Sequence, residues 1–254
     1  MKIQYPSKSR KKRTKKNLQK HPYETVLKKC EVYMKQIKDP IIVEIGAFAG
    51  STIHRLCKHL NLYKAYCIEG CPVNFKLLKK ATKNYKHIKI FNVAIASYDG
   101  ISNFYSGYSS TQRGSSSCSS LYANAIIRAD ITSVVCHKIP CFTLDNFCRL
   151  NHIYKIDCLK INCEGCEFDI FDSPTHDFLD MTRILCIQIH GHCQQFNSDN
   201  FINKKKSIIE QITNKQFKFD CGDKDIYKKP HINKMHSNVQ MHIDQMWVKE
   251  RCLI

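Results

Sequence analysis

Val43-Glu44-Ile45-Gly46-Ala47-Phe48-Ala49-Gly50-Ser51 is the stretch that decides the fold. An apolar run that starts at Ile41 ends in an acidic residue and enters a Gly-x-x-x-Gly turn. Beyond the turn, Ile53, Leu56, Cys57 and Leu60 recur at helical spacing. The reading is a buried strand running straight into a helix. Glycine at 46 and 50 lets a ligand lie against bare backbone, and the helix N-terminus offers N–H donors.

The same alternation continues outward. Pro22 to Lys38 reads as an amphipathic helix on Val26, Leu27, Val32, Tyr33 and Ile37. Ala65 to Ile68 reads as a second strand, Asn74 to Asn84 as a helix, and Ile88 to Ala94 as a third strand. Thr143 to Leu150 is helical, 158–161 and 184–189 are strands, and Phe201 to Asn214 is a helix. Phe217 to Phe219 and Val239 to Lys249 read as the last strands, with residues 220–238 as an exposed loop. Residues 106–120, rich in Ser and Gly, read as an interrupting loop. Strands alternating with helices predict an α/β fold, a mostly parallel sheet covered on both faces.

Three strand ends carry chemistry. A dinucleotide site would present G-x-G-x-x-G to a pyrophosphate, and that pattern is absent. Glu44 beside the turn would repel a pyrophosphate but suits a cationic ligand, such as the aminoacyl end of S-adenosylmethionine. The plainer alternative is a strand–helix turn with a capping acid. The second strand ends at Ile68-Glu69-Gly70, where a carboxylate can accept both ribose hydroxyls of a nucleoside. The plainer alternative for Glu69 is an exposed acid paired with Lys64. Its replacement by alanine is expected to weaken cofactor affinity with little loss of stability. The third end is Leu159-Lys160-Ile161-Asn162-Cys163-Glu164-Gly165-Cys166-Glu167.

With Thr143-Leu144-Asp145 before it, this segment resembles the Leu-Lys-Ile-Asp-x-Glu-Gly-x-Glu signature of the FkbM-type methyltransferases. Glu44 to Gly50 is similar to that family's first motif, Ile68-Glu69-Gly70 to its Phe-Glu-Pro segment, and Ala94 to Gly100 and Ser119-Ser120-Leu121 to further segments. The similarity runs from about residue 41 to residue 192. It implies a Rossmann-like class I methyltransferase fold, with a mostly parallel seven-stranded sheet and helices on both faces. It also implies S-adenosyl-L-methionine as cofactor and a sugar, glycan or small-metabolite hydroxyl as acceptor. By resemblance Glu44, Gly46 and Gly50, with Ala47 and Ser51 of the same turn, line the cofactor site together with Glu69. Asn92 and Ala94 lie near the adenine. Lys160, Asn162, Glu164 and Glu167 face the methyl-delivery site. A hydroxyl acceptor needs a base, for which Glu164 is the first candidate and His190 the second. A strand-end histidine bonded to backbone is the alternative for His190. Lys160 is expected to be a partner of Glu164 or Glu167.

Two positions depart from the family. Asn162 stands where Asp is usual, and Gln188 where an acid would often occur. Asn keeps the shape and one acceptor oxygen but loses the charge. A catalytically inactive cofactor-binding domain is therefore a competing reading, and a nucleic-acid methyltransferase is another. The latter would use the basic arm.

Residues 1–22 hold nine Lys or Arg and no acid, half of the net charge of +18, and read as a disordered arm preceding a methyltransferase domain over 23–254. Its centre, Lys8 to Lys16, could hold phosphates or direct nuclear import. Interleaved aromatic and basic residues that would stack bases are missing. No apolar stretch is long enough to span a membrane. No signal-peptide pattern is visible, and the fifteen cysteines, many in apolar runs, read as free thiols in a reducing, intracellular setting. Cys163-x-x-Cys166 lacks a second pair, and Cys186, His190, His192 and Cys193 form a weak alternative cluster, so no metal is expected.

Overall fold

The computed structural model describes residues 22–108, 115–123, 131–190, 198–222 and 242–249. The chain runs α1 (Pro22–Met34), β1 (Ile41–Ile45), α2 (Ser51–His59), β2 (Lys64–Ile68), α3 (Pro72–Thr82) and β3 (Ile88–Phe91). It then makes β4 (Ala94–Ile95), β5 (Gly100–Tyr108), β6 (Ser115–Ser120) and β7 (Ser133–Phe142). The second half is α4 (Leu144–Leu150), β8 (Ile156–Ile161), α5 (Cys166–Phe171), α6 (Asp177–Met181), β9 (Thr182–His190), α7 (Ser198–Asn214), β10 (Phe217–Gly222) and β11 (His242–Lys249).

Seven strands form the main sheet in the order β10-β11-β9-β8-β1-β2-β3. All neighbours are parallel except β11, which is antiparallel to both β9 and β10. This is the expected α/β architecture, a mostly parallel seven-stranded sheet. From β1 the chain first winds outward through β2 and β3, then returns to the other side of β1 with β8. The strand order therefore reverses between β1 and β8, and ligands of such sheets bind at the carboxyl ends of strands flanking that reversal.

Burial on both faces follows from the two-residue period of the strands. Ile42, Cys158 and Ile184 join Val26, Cys30 and Met34 of α1 and Ile53 and Leu56 of α2 on one face. Val43, Leu159 and Leu185 join Phe168, Phe171, Phe201, Ile208 and Ile212 on the other. Neighbouring residues in each strand thus enter different clusters.

Three expectations are corrected. Residues 106–120 are not wholly a loop: β5 reaches Tyr108 and β6 spans Ser115–Ser120. They belong to a second sheet in the order β4-β7-β5-β6. Serine survives there because its hydroxyls find partners, with Ser106 Oγ on Cys71 Sγ at 3.1 Å and Ser120 Oγ on the Glu164 carbonyl at 2.7 Å. The third strand stops at Phe91, and Ala94–Ile95 pairs with β7 in the second sheet instead. The first helix ends at Met34, not Lys38. The basic arm and residues 223–241 lie outside the described residues.

Candidate active site

Gly46 brings the three strand ends together. Its φ is +77°, and a Cβ placed on it would lie 1.7 Å from the Asn162 carbonyl oxygen, so only glycine lets the β1 turn pass that close to the end of β8. Backbone bonds lock the crossing: Asn162 N–H donates to the Ile45 carbonyl, and the N–H groups of Gly46 and Ala47 both donate to that of Ile68, each at 3.0 Å. An open cleft results, lined by Glu44, Gly46, Ala47 and Ser51 from the first motif. Glu69 and Ala94 line it too, as do Lys160, Asn162 and Glu164.

Glu44 and Lys160 are register partners across β1 and β8, both almost fully buried. Lys160 Nζ donates to Glu44 Oε1 at 2.9 Å, while the buried Glu44 Oε2 has no hydrogen-bond partner. The expected pairing of Lys160 with Glu164 or Glu167 therefore gives way to Glu44. Strand register places the two side chains side by side, whereas Glu164 lies beyond the strand end.

Glu69 is 5% exposed and grips two loops at once. Its Oε2 accepts from Phe48 N–H at 2.7 Å and its Oε1 from Cys71 N–H at 2.8 Å, and Asn74 hydrogen-bonds the same carboxylate. Burial, aided by the Glu44 charge, pushes its pKa up to about 7 against the pull of these donors. It is not the exposed partner of Lys64, whose ammonium lies over the Tyr66 ring at 5.7 Å. Two hydrogen bonds to separate loops also mean that truncation costs stability, contrary to the expectation of little loss.

Glu164 has a left-handed backbone, φ 52°, and projects into the cleft with its side chain 18% exposed. Behind it, Glu167 is completely buried and accepts from Cys163 N–H at 2.9 Å and Gly165 N–H at 2.7 Å, closing the loop back on itself. Its Oε1 also lies 2.8 Å from His190 Nδ1. His190 Nε2 is 3.8 Å from Glu164 Oε1. Burial would lower the pKa of His190, but the carboxylates of Glu167, Glu164 and Asp244 outweigh it and raise it to about 9. The imidazole is consequently a cation at neutral pH. Its Nδ1 partner is the Glu167 carboxylate, where the plainer reading had the backbone.

The family model described as Methyltransferase FkbM domain matches residues 28–219. The chain belongs to that family. It is an S-adenosylmethionine-dependent methyltransferase of Rossmann-like fold, as the resemblance implied. No curated protein matches it. Among solved structures it is similar to an rRNA methylase from Streptococcus thermophilus, with 10% identity over 92% of this chain and 99% of that one, TM-score 0.47. A precorrin-6y C5,15-methyltransferase from Geobacter metallireducens shares 8% identity over 93% and 92%, TM-score 0.43. The fibrillarin pre-rRNA processing protein of Methanococcus jannaschii shares 14% over 85% and 69%, TM-score 0.45. Likeness this distant carries no argument, and the assignment rests on the family match.

In this FkbM-type domain, four of the residues expected at the site stand back from the cleft, the fully buried Glu167 behind Glu164 among them. Gly50 (φ +85°) packs its backbone on Leu78 of α3, where a Cβ would come within 3.0 Å of the leucine Cδ1. Asn92 turns its Nδ2 onto the carbonyls of Glu69 at 2.8 Å and Gly70 at 3.0 Å, so it shapes the loop beneath Glu69. His190 lies behind Glu164. Other lining residues were given no role there by the sequence, among them Asn74 and Phe104, while Ser119 stood only in a family-like segment. Phe104 lies on Gly70, where a Cβ would sit 2.5 Å from its ring. Both Phe104 and Ser119 come from the second sheet, which only Ala94 and the Ser119–Leu121 segment tied to the family in the sequence. Gln188 faces Asp244 across β9 and β11, so an acid missing from one strand is present on its neighbour. Cys186 lies with Cys30 and Cys158, not with His190; His192 and Cys193 lie outside the described residues. No helix among the described residues is long and apolar enough to cross a membrane.

Proposed function

We propose that this chain uses the β1/β8 cleft to transfer the methyl group of S-adenosylmethionine to a hydroxyl oxygen of a glycan or small-metabolite acceptor. The observation that carries the reading is the buried Glu44 oxygen that faces the cleft without a partner. An unsatisfied buried carboxylate oxygen is costly, and an ammonium donor is its natural complement. The donor set fits the cofactor. Glu44 Oε2 takes the aminoacyl ammonium, the Gly46–Ser51 turn packs against the ligand, and Glu69 accepts the ribose hydroxyls through its remaining lone pairs. Ala94 and Phe104 supply apolar surface for the base.

The cofactor supplies an electrophilic methyl group on positively charged sulfur. The chain must orient the acceptor oxygen in line with it and take the hydroxyl proton. Orientation of this kind is worth roughly 7–11 kcal/mol. Glu164 is the base. Its carboxylate reaches the cleft, its carbonyl is pinned by Ser120 Oγ, and the Glu167–His190 pair holds the loop that presents it. His190, a cation in the free protein, acts as a positioning residue and not as the base. Asn162 at the Gly46 crossing offers an amide to the acceptor, with no charge to contribute. Lys160 holds Glu44 Oε1 and leaves its second oxygen turned toward the cleft.

The test is a labelled-methyl assay over glycan, metabolite and RNA pools. Release of S-adenosylhomocysteine with hydroxyl acceptors supports the reading. Label entering RNA alone would refute the acceptor class and point to the basic arm, and cofactor binding with no transfer to any pool would favour an inactive domain. Glu164→Gln should lower turnover by about 10²–10⁴-fold with cofactor affinity unchanged. A fully active variant would remove Glu164 from the role.

A further inference from the structure

Directly beneath the cleft, on the α1 side of the sheet, three thiols meet. Cys30 lies on the buried face of α1 between Val26 and Met34, spaced four residues from each. Cys158 in β8 is the register partner of Ile184, and Cys186 follows two residues later on the same face of β9. The three side chains are 1%, 2% and 4% exposed, and their sulfurs all lie within 4.8 Å of one another, Cys30 and Cys158 at 3.4 Å. Cysteines used only as small apolar fillers have no reason to face one another. Here, residues 128 positions apart in sequence turn sulfur toward sulfur inside a lining of aliphatic side chains.

We propose that Cys30, Cys158 and Cys186 form a trigonal thiolate site for a soft monovalent cation of the copper(I) class. A metal–sulfur distance of about 2.3 Å in a planar three-coordinate site puts the sulfurs about 4 Å apart, which the observed cluster accommodates with small side-chain shifts. Thiolates select soft cations such as copper(I), whereas structural zinc takes four ligands. Among the described residues no imidazole or carboxylate joins the three sulfurs. Each ligating thiol gives up its proton to solvent as the ion binds. A filled site ties α1 to β8 and β9, two residues before Lys160 on β8, and so braces the strands whose ends build the cleft.

The test uses the full-length chain, reduced and anaerobic, titrated with copper(I) against a competing chelator. One equivalent should bind, with X-ray absorption reporting sulfur-only coordination of three neighbours, and thermal unfolding should move upward. Cys30→Ser, Cys158→Ser and Cys186→Ser each remove a ligand and should weaken binding by more than the roughly 10–100-fold lost when a residue behind a ligand is replaced. A Cys163→Ser/Cys166→Ser variant should keep the ion, which separates this cluster from the C-x-x-C pair in the cleft. Because a buried serine can unfold the chain, circular dichroism accompanies each variant, and the coordination number of the wild-type chain stands as an independent readout. Absence of a tight equivalent, loss of the ion in the Cys163/Cys166 variant, two-sulfur coordination, or preferential uptake of zinc(II) would each overturn the proposal.

Discussion

Glu69 offers the sharpest test of the cofactor site, because its carboxyl titrates where it should bind. Its pKa stands at about 7 in the free protein against an ordinary 4.5. Between those values the folded chain holds a proton that the unfolded chain has lost. Glu69 therefore contributes stability that is complete below 4.5 and is lost as pH rises through 7, up to roughly 3 kcal/mol. Ribose hydroxyls donate hydrogen bonds and so select the carboxylate. Cofactor binding below neutrality must then expel the proton, and affinity should be about tenfold weaker near pH 6 than near pH 8. Calorimetry with S-adenosylhomocysteine in buffers of different ionisation enthalpy would read both the affinity and the released proton. Glu69→Gln removes the titration and should flatten the profile. It should also bind more weakly and lose about 1–3 kcal/mol of stability, because the amide NH₂ would face the Phe48 or Cys71 N–H donor. A wild-type affinity that is level across this range, with no proton released, would refute the reasoning.

Three further outcomes follow from the same geometry. The raised pKa of His190, from 6.5 to about 9, contributes stability that is complete below 6.5 and is lost as pH rises through 9. Denaturant titrations should show that alkaline loss, of up to roughly 3 kcal/mol, in the wild type and not in His190→Gln. Lys160→Met leaves the Glu44 carboxylate buried without its cation and should cost about 3–5 kcal/mol, with Glu44→Gln/Lys160→Met recovering part of it; equal stability of wild type and single variant in urea would contradict the pairing. Gly46→Ala puts a methyl group 1.7 Å from the Asn162 carbonyl and should abolish cofactor binding in whatever fraction still folds, whereas unchanged binding would show that the β1 and β8 ends can move apart.

Much of the main sheet was legible because each of its strands carries its own signal. Ile41–Ile45, Lys64–Ile68 and Ile156–Ile161 are short apolar runs ending in polar or glycine residues, and local burial is enough to make them strands. The second sheet was not legible. β5 and β6 are rich in Ser, Gly and Tyr, and they hold strand geometry through cross-strand pairing with β7 and side-chain bonds to Cys71 and Glu164. Propensity yields to tertiary context in such strands.

By itself the sequence determined the succession of the main-sheet strands, the family, and which strand ends bear Glu44, Glu69 and the Asn162–Glu167 segment. Only the folded chain decided the pairings. Lys160 reaches Glu44 through strand register, His190 meets Glu167 across adjoining elements, and Cys30 meets Cys158 and Cys186 across the α1–sheet interface. The division has a physical cause. Periodicity and turn chemistry act over a few residues, whereas partners of buried charges and thiols are set by the sheet order, which a chain fixes only when distant segments close on one core.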